Sequence, residues 1–347
     1  MFSKKHTDLA KGVACLLLLL HHLFYNSPAT IAKFTPFLMV CGVPLACVLS
    51  GLGKVCVAMF LMLSGYGVAV LLNKHTCDNN LLNNGVRVSV RMILKLLFSF
   101  WFVFVLFVPW QGLMGHWTYK SWYHIIIDFF GVADIFGTST INRTWWYVSM
   151  ALICYALTPL MYILLKKFPA FSVSLTLCAF VILDGRVYNG MRFEYFFWLC
   201  NYFAGMLLYE YGVLNRITTF ASNRVWYKWM VWIPLVLTAF WLRYNKGISV
   251  DPLFSFIIIS FAAVCLYEIP LLSRGLQFVG KHSGNIFFMH TFIYLYDFEN
   301  IIYFPRYTPL IYLLCLGICL FVSMFIEWLK NISKYNIVTK ALIKKVS

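Results

Sequence analysis

Charge is scarce in this chain. Asp, Glu, Lys and Arg make up 12% of its 347 residues, about half the share of a soluble domain. Hydrophobic residues make up 62%, more apolar surface than one soluble core of this size can hide. Those two figures exclude intrinsic disorder, a collagen-like chain and a secreted disulfide-rich scaffold. Metal-ligand spacing is missing too. None of the eleven Cys forms a CxxC pair, and nearly all lie inside apolar runs. They read as small hydrophobes, and no metal site is expected. No small-residue cleavage site follows the leucine run at 16–20, and His21-His22 interrupts its end, so no cleavable signal peptide is expected. Acidic residues are fewest: 12 against 28 basic, for a formal net charge of +16. A nucleic-acid binder would gather such charge on one exposed face. Here Lys and Arg sit in short clusters between apolar runs, which fits membrane topology and argues against nucleic acid.

What is present in quantity is apolar sequence of spanning length. Ten stretches reach or approach the roughly 20 residues that cross a bilayer: Leu9–Tyr25, Val55–Leu72, Met92–Trp110, Trp145–Leu165, Phe171–Leu183, Phe193–Tyr211, Trp229–Trp241, Leu253–Tyr267, Ile286–Tyr303 and Leu310–Trp328. The expected fold is therefore an all-α polytopic membrane protein of about ten transmembrane helices, since a barrel would show alternating strands. Residues 1–330 form one membrane domain, and 331–347 a basic cytoplasmic tail that reads as an amphipathic helix on the inner leaflet. The piece Phe37–Leu49 is too short to span and reads as interfacial or re-entrant. With the N-terminus in the cytoplasm, 19 of the 28 Lys and Arg residues fall inside. The positive-inside rule then places both termini in the cytoplasm. Acidic residues such as Asp128, Asp184, Glu194 and Asp251 fall outside. The outer loop Gln111–Thr144 is expected to hold a short interfacial helix near Ser121–Phe130.

The first span holds the candidate chemistry. Lys11 and His22 are eleven residues apart. At 3.6 residues per turn they share a face, separated by about 16 Å along the axis. His21 points about 100° away and reads as interfacial or packing. Ionisable groups inside a span are costly and usually face a cavity; the plainer alternative is a Lys snorkelling inward and His at the outer interface. Arg87, Arg91 and Lys95 recur every four residues, one helical stripe at the inner end of the third span. Such a stripe suits phosphates, and it equally suits ordinary positive-inside anchoring. Trp145, Trp146 and Tyr147 begin the fourth span. They can stack on sugars or form an interfacial belt. Ser64-Gly65 and Ser283-Gly284 read as close helix contacts.

The sequence Lys11-(ten residues)-His22 resembles the Arg/Lys-x10-His motif that opens the membrane-bound acyltransferase family 3. Further blocks follow in order. Phe60-Leu-Met-Leu-Ser64-Gly65-Tyr66 resembles FFxLSGF, and Trp146-Tyr-Val-Ser149 through Tyr155-Ala-Leu-Thr-Pro159-Leu resembles WFLS…YxxxPL. Asn201-Tyr-Phe-Ala-Gly205-Met-Leu-Leu resembles FxxGxLL, and Val279-Gly280-Lys281-His-Ser283…Phe288-Met-His290 resembles LGKxS…YLxH. Lys11 stands where Arg is commoner, Ala151 where many members carry Glu, and Thr291 where Pro is frequent.

The resemblance implies an integral-membrane enzyme of bacteria, in the cell membrane, that moves an acyl group, commonly acetyl, from acyl-CoA to a hydroxyl of a surface polysaccharide or its lipid-linked precursor. It implies no bound cofactor: acetyl-CoA is a substrate, and the partners are acyl-CoA, the glycan and the bilayer. His22 is singled out as general base, with Lys11 three turns nearer the cytoplasm and transient acyl transfer to the imidazole as an alternative. His290 either orients the acceptor, donates to the oxyanion or makes a helix–helix hydrogen bond. Arg87, Arg91 and Lys95 would hold the coenzyme A phosphates; Trp145, Trp146 and Tyr155 would line the acceptor side. The competing function is an exporter of the same glycan. It too would carry ionisable residues in its spans, but two similar halves would be expected of it, and no internal repeat stands out.

Overall fold

A computed structural model of the chain describes residues 2–25, 27–74, 80–182, 191–221 and 225–346. Asp184, Arg224 and the end of Phe171–Leu183 lie outside the described residues. The described chain is almost entirely helical: α1 (Lys4–Leu23), α2 (Leu45–Gly53), α3 (Cys56–Lys74), α4 (Leu81–Leu113), α5 (Trp122–Phe129), α6 (Trp146–Lys167), α7 (Pro169–Ile182), α8 (Met191–Glu210), α9 (Val213–Ala221), α10 (Val225–Lys246), α11 (Asp251–Val264), α12 (Pro270–Thr291), α13 (Thr308–Ile332) and α14 (Tyr335–Val346). A two-residue hairpin, β1 (Met39–Val40) with β2 (Val43–Pro44), pairs antiparallel around Cys41-Gly42. Both turn residues have positive φ, 49° and 78°, as a two-residue hairpin turn demands.

This is an all-α, multi-pass membrane architecture. Among the described residues, five helical stretches are long and apolar enough to cross a bilayer by length and composition: Leu45–Lys74, Leu81–Leu113, Arg143–Lys167, Tyr227–Glu268 and Thr308–Ile332. The fourth contains two helices, α10 and α11. The other expected stretches also fall on helices, each with a reason for a weaker signal. α1 carries Lys, Asp and His, α7 is short, α8 opens with charge, and α12 is polar in its first half.

The ninth stretch needs correcting. The apolar run begins at Ile286, but its helix begins at Pro270. Ser273, Leu276, Gly280 and Ser283 of its first half are buried, and Arg274 and Lys281 are exposed. That is helical amphipathicity, invisible to a count of total hydrophobicity. Phe37–Leu49 resolves into the hairpin and the start of α2, which a turn at Lys54-Val55 joins to α3.

The chain divides into two compact units. The first holds residues 1–74 and 164–283, the second residues 75–163 and 284–347. In the first, α3 and α8 cross where each offers a glycine. A Cβ on Gly65 would sit 1.9 Å from the Tyr202 carbonyl oxygen, and one on Gly205 would sit 2.0 Å from that of Met62. Only backbones without side chains approach so closely. α1 meets α12 the same way. Gly12 lies against the Leu276 carbonyl, and Gly280 against that of Asp8. In the second unit, α4 begins on Asn80, whose side chain accepts from the Leu82 and Asn83 amides. The terminal α14 docks on α4: the Tyr335 hydroxyl donates to the Phe98 carbonyl at 2.8 Å.

Candidate active site

In the first unit, α1 runs unbroken from Lys4 to Leu23, so Lys11 and His22 stand three turns apart on one continuous helix, both half-buried. The backbone contact of Gly280 with Asp8 fixes α12 against α1 one turn from Lys11. Ser283 closes that turn by donating to the Gly280 carbonyl at 2.8 Å. His21 is committed to packing. Its Nδ1 lies 2.8 Å from the Ser50 carbonyl, so that nitrogen carries a proton and donates to α2. The His21 and His22 rings meet edge to face at 5.0 Å.

Sequence reasoning missed the charges gathered near that end of α1. Arg243, at the end of α10, pairs with Asp251, the first residue of α11. Arg243 is 7% exposed and Asp251 fully buried. Lys54 lies within electrostatic reach of both Asp251 and His21. Elsewhere in this unit, Lys228 is buried and paired with Glu268, and Lys166 pairs with Glu210 at 2.6 Å.

The second unit holds the remaining candidates. Arg87, Arg91 and Lys95 do form one stripe of α4, with Arg87 and Lys95 exposed and Arg91 half-buried. Asn84, Gly85, Val88 and Ser89 of the same helix are buried. Ser89 donates to the Tyr155 carbonyl at 2.5 Å, and Tyr155 is buried in α6. Trp146 is half-buried. Trp145 is 2% exposed. Its ring lies 4.8 Å from Phe100 and 5.7 Å from Phe292, and its indole N–H donates to the Phe288 carbonyl at 2.9 Å.

His290 is fully buried near the end of α12. Its Nδ1 lies 2.9 Å from the Phe287 carbonyl and 3.1 Å from that of Ile286. Carbonyls cannot donate, so Nδ1 carries the proton and Nε2 is the basic nitrogen of the neutral ring. Immediately beyond, at Phe292–Asp297, the chain adopts π-helical spacing, a geometry frequent at functional sites. Thr291, in the place where family members often have Pro, is buried with its hydroxyl 3.2 Å from that of Thr144.

Two further polar clusters of this unit carried no readable signal. The Lys330 ammonium donates to Glu327 at 2.8 Å and to Asn285 at 2.9 Å. In the segment between α4 and α6, Asp128 is 1% exposed. It accepts from the Tyr119 hydroxyl at 2.6 Å, the Thr140 hydroxyl at 2.9 Å and the Ile141 amide at 3.3 Å. Burial outweighs these three bonds and raises its pKa to about 6. Among the described residues, no group of three His, Cys, Asp or Glu is placed to hold a metal ion.

No curated protein and no solved structure matches the chain. The acyltransferase domain of family 3 matches it over residues 6–328, from the first turn of α1 into α13. A match over nearly the whole chain, on a fold of membrane-spanning helices, settles the family: the chain belongs to acyltransferase family 3 and is a multi-pass membrane acyltransferase.

Proposed function

We propose that this acyltransferase moves an acetyl group from acetyl-CoA to a hydroxyl of a cell-surface polysaccharide or its lipid-linked precursor, with His22 as general base. The single observation carrying this reading is the Lys11–His22 pair, half-buried on one unbroken helix within the matched domain. The acceptor hydroxyl oxygen attacks the thioester carbonyl. A C–O bond forms and the C–S bond breaks. The hydroxyl proton passes to His22, and the thiolate leaves and is protonated. A neutral imidazole nitrogen can take that proton. Lys11 stands on the side of the donor. The exposed Arg87, half-buried Arg91 and exposed Lys95 of α4 supply charge and donors for the diphosphate of coenzyme A. Trp146 and Tyr155 serve the acceptor in this reading. In this reading the protein sits in a bacterial cell membrane with both termini in the cytoplasm. Donor then arrives from within and acceptor from outside.

The test is acetylation of surface glycan in cells expressing His22→Ala at wild-type protein level. Acetyl ester should fall at least about 100-fold, the usual scale of a lost general base. Undiminished acetylation rejects His22 as the base. Undiminished acetylation with loss of surface glycan points instead to export. Separately, Arg87→Ala with Arg91→Ala should weaken binding of coenzyme A to the purified protein about tenfold or more; unchanged affinity removes the stripe from the donor site.

A further inference from the structure

The segment before α6 grips α12 at the turn that carries His290. The Phe288 carbonyl receives two side-chain donors, the Trp145 indole N–H at 2.9 Å and the Asn142 amide at 3.3 Å. The Thr144 and Thr291 hydroxyls share a hydrogen bond at 3.2 Å. The grip therefore brackets His290, two residues before it and one after. The next two carbonyls back, Phe287 and Ile286, take the His290 Nδ1–H. Three consecutive helix carbonyls thus serve side-chain donors. Donors inserted into a helix ladder loosen its i→i+4 bonding, and here the helix widens at once to π spacing, with Phe298 N–H reaching back to Ile293 O at 3.2 Å.

The gripping segment is itself held. The Asn142 backbone N–H donates to Thr140 Oγ1 at 3.3 Å, and the Thr140 hydroxyl donates to Asp128. Asn142 Oδ1 accepts from the backbone and hydroxyl of Thr144 at 3.0 and 2.8 Å. The amide group of Asn142 is therefore oriented from both ends. Its nitrogen can face only the Phe288 carbonyl while its oxygen caps the turn. Trp145 is 2% exposed and walled by Phe100 and Phe292. All of these groups lie in the second unit.

From this geometry we infer that Trp145 and Asn142 are positioning residues that, through the Phe288 carbonyl, hold His290 as the Nδ1–H tautomer with Nε2 as a basic acceptor nitrogen. That is the form able to accept a hydroxyl proton or a hydrogen bond from the acceptor sugar. It is not the form that donates from Nε2 to an oxyanion. The role of the nitrogen in acyl transfer rests on the function proposed above; the tautomer and its control by Trp145 and Asn142 do not.

Two readouts separate these parts. Solid-state 15N spectra of histidine-labelled full-length protein in lipid, with His290→Gln identifying the ring, should show protonated Nδ1 and bare Nε2 at neutral pH. Trp145→Phe keeps an apolar ring and removes the N–H; Asn142→Asp keeps the capping oxygen and removes the donor. Each should move or broaden the His290 ring signals while leaving the other histidine rings unchanged. Acetyl transfer by the same variants should lose about tenfold in kcat with KM little altered. Ring signals identical to wild type in both variants overturn the positioning role and leave a catalytic part for His290 standing. Wild-type turnover by His290→Gln, with ring signals that respond as expected, removes His290 from the chemistry and overturns the functional half of the inference. A protonated Nε2 in the wild-type spectrum overturns the tautomer itself.

Discussion

Asp128 accepts hydrogen bonds from Tyr119, Thr140 and the Ile141 amide, and is still buried enough to titrate near pH 6 instead of 3.8. A carboxyl with a raised folded pKa holds its proton in the folded loop after the unfolded chain has lost it. Stability is therefore full below about pH 4 and falls as the pH rises to about 6. The shift is worth about 3 kcal/mol at most. Asp128→Asn keeps the shape and stays neutral throughout. In that variant, protease cleavage of the loop at 111–144 should lose its rise between pH 4 and 6; a rise as steep as in wild type would show that another group titrates there. Little of this was readable beforehand. Asp128 counted only as an acid on the outer side, since its partners lie nine and twelve residues away in sequence and no periodicity joins them. Arg243 and Asp251 hid for a related reason. Each sits at a helix end, where charge is expected at an interface, and folding instead seals them into an ion pair.

At the scale of helices, the small residues of the motif blocks were the readable part, because a motif glycine between apolar neighbours has few uses besides close approach. Gly65 and Gly205, from two different blocks, turn out to face one another's helices across the α3–α8 crossing. In the third block the close approach falls on Gly280, one turn before the expected Gly284. Which helix a glycine meets is not written locally, so the pairing itself was not legible. The crossing makes a sharp prediction. Gly65→Ala places a methyl group on the Tyr202 carbonyl, and the helices must separate. Overpacking of this kind costs about 1–3 kcal/mol, so the thermal midpoint in detergent should drop by several degrees. Gly67→Ala, on the same helix where a Cβ meets nothing within 4 Å, is the control. Equal midpoints for the two variants would mean that the crossing tolerates a methyl group and that α3 and α8 are held elsewhere.

For the whole chain, the alternation of apolar runs with basic clusters carried the architecture, yet the helices show where composition stops being a guide. Lys228 and Lys330 counted as cytoplasmic anchors, but both are buried against carboxylates, Glu268 and Glu327. Arg274 and Lys281 counted as loop charges, but they ride on the exposed face of α12. The orientation argument survives these reassignments only if the remaining inner charges still outnumber the outer ones. They do: setting those four aside leaves 15 of the 19 charges counted inside, against nine outside. The outer assignment rests most heavily on the loop at 111–144, because α4 and α6 flank it and both are long enough to span. Single cysteines at Ser121 and Ser333, in a chain with its eleven native cysteines replaced, should therefore behave oppositely in intact cells. Ser121→Cys should react with a membrane-impermeant maleimide from outside, and Ser333→Cys only after permeabilisation. Labelling of Ser333→Cys in sealed cells would invert the orientation. The donor stripe on α4 would then face outward, away from any cytosolic pool of acyl-CoA, and the proposed route of the acyl group would fail with it.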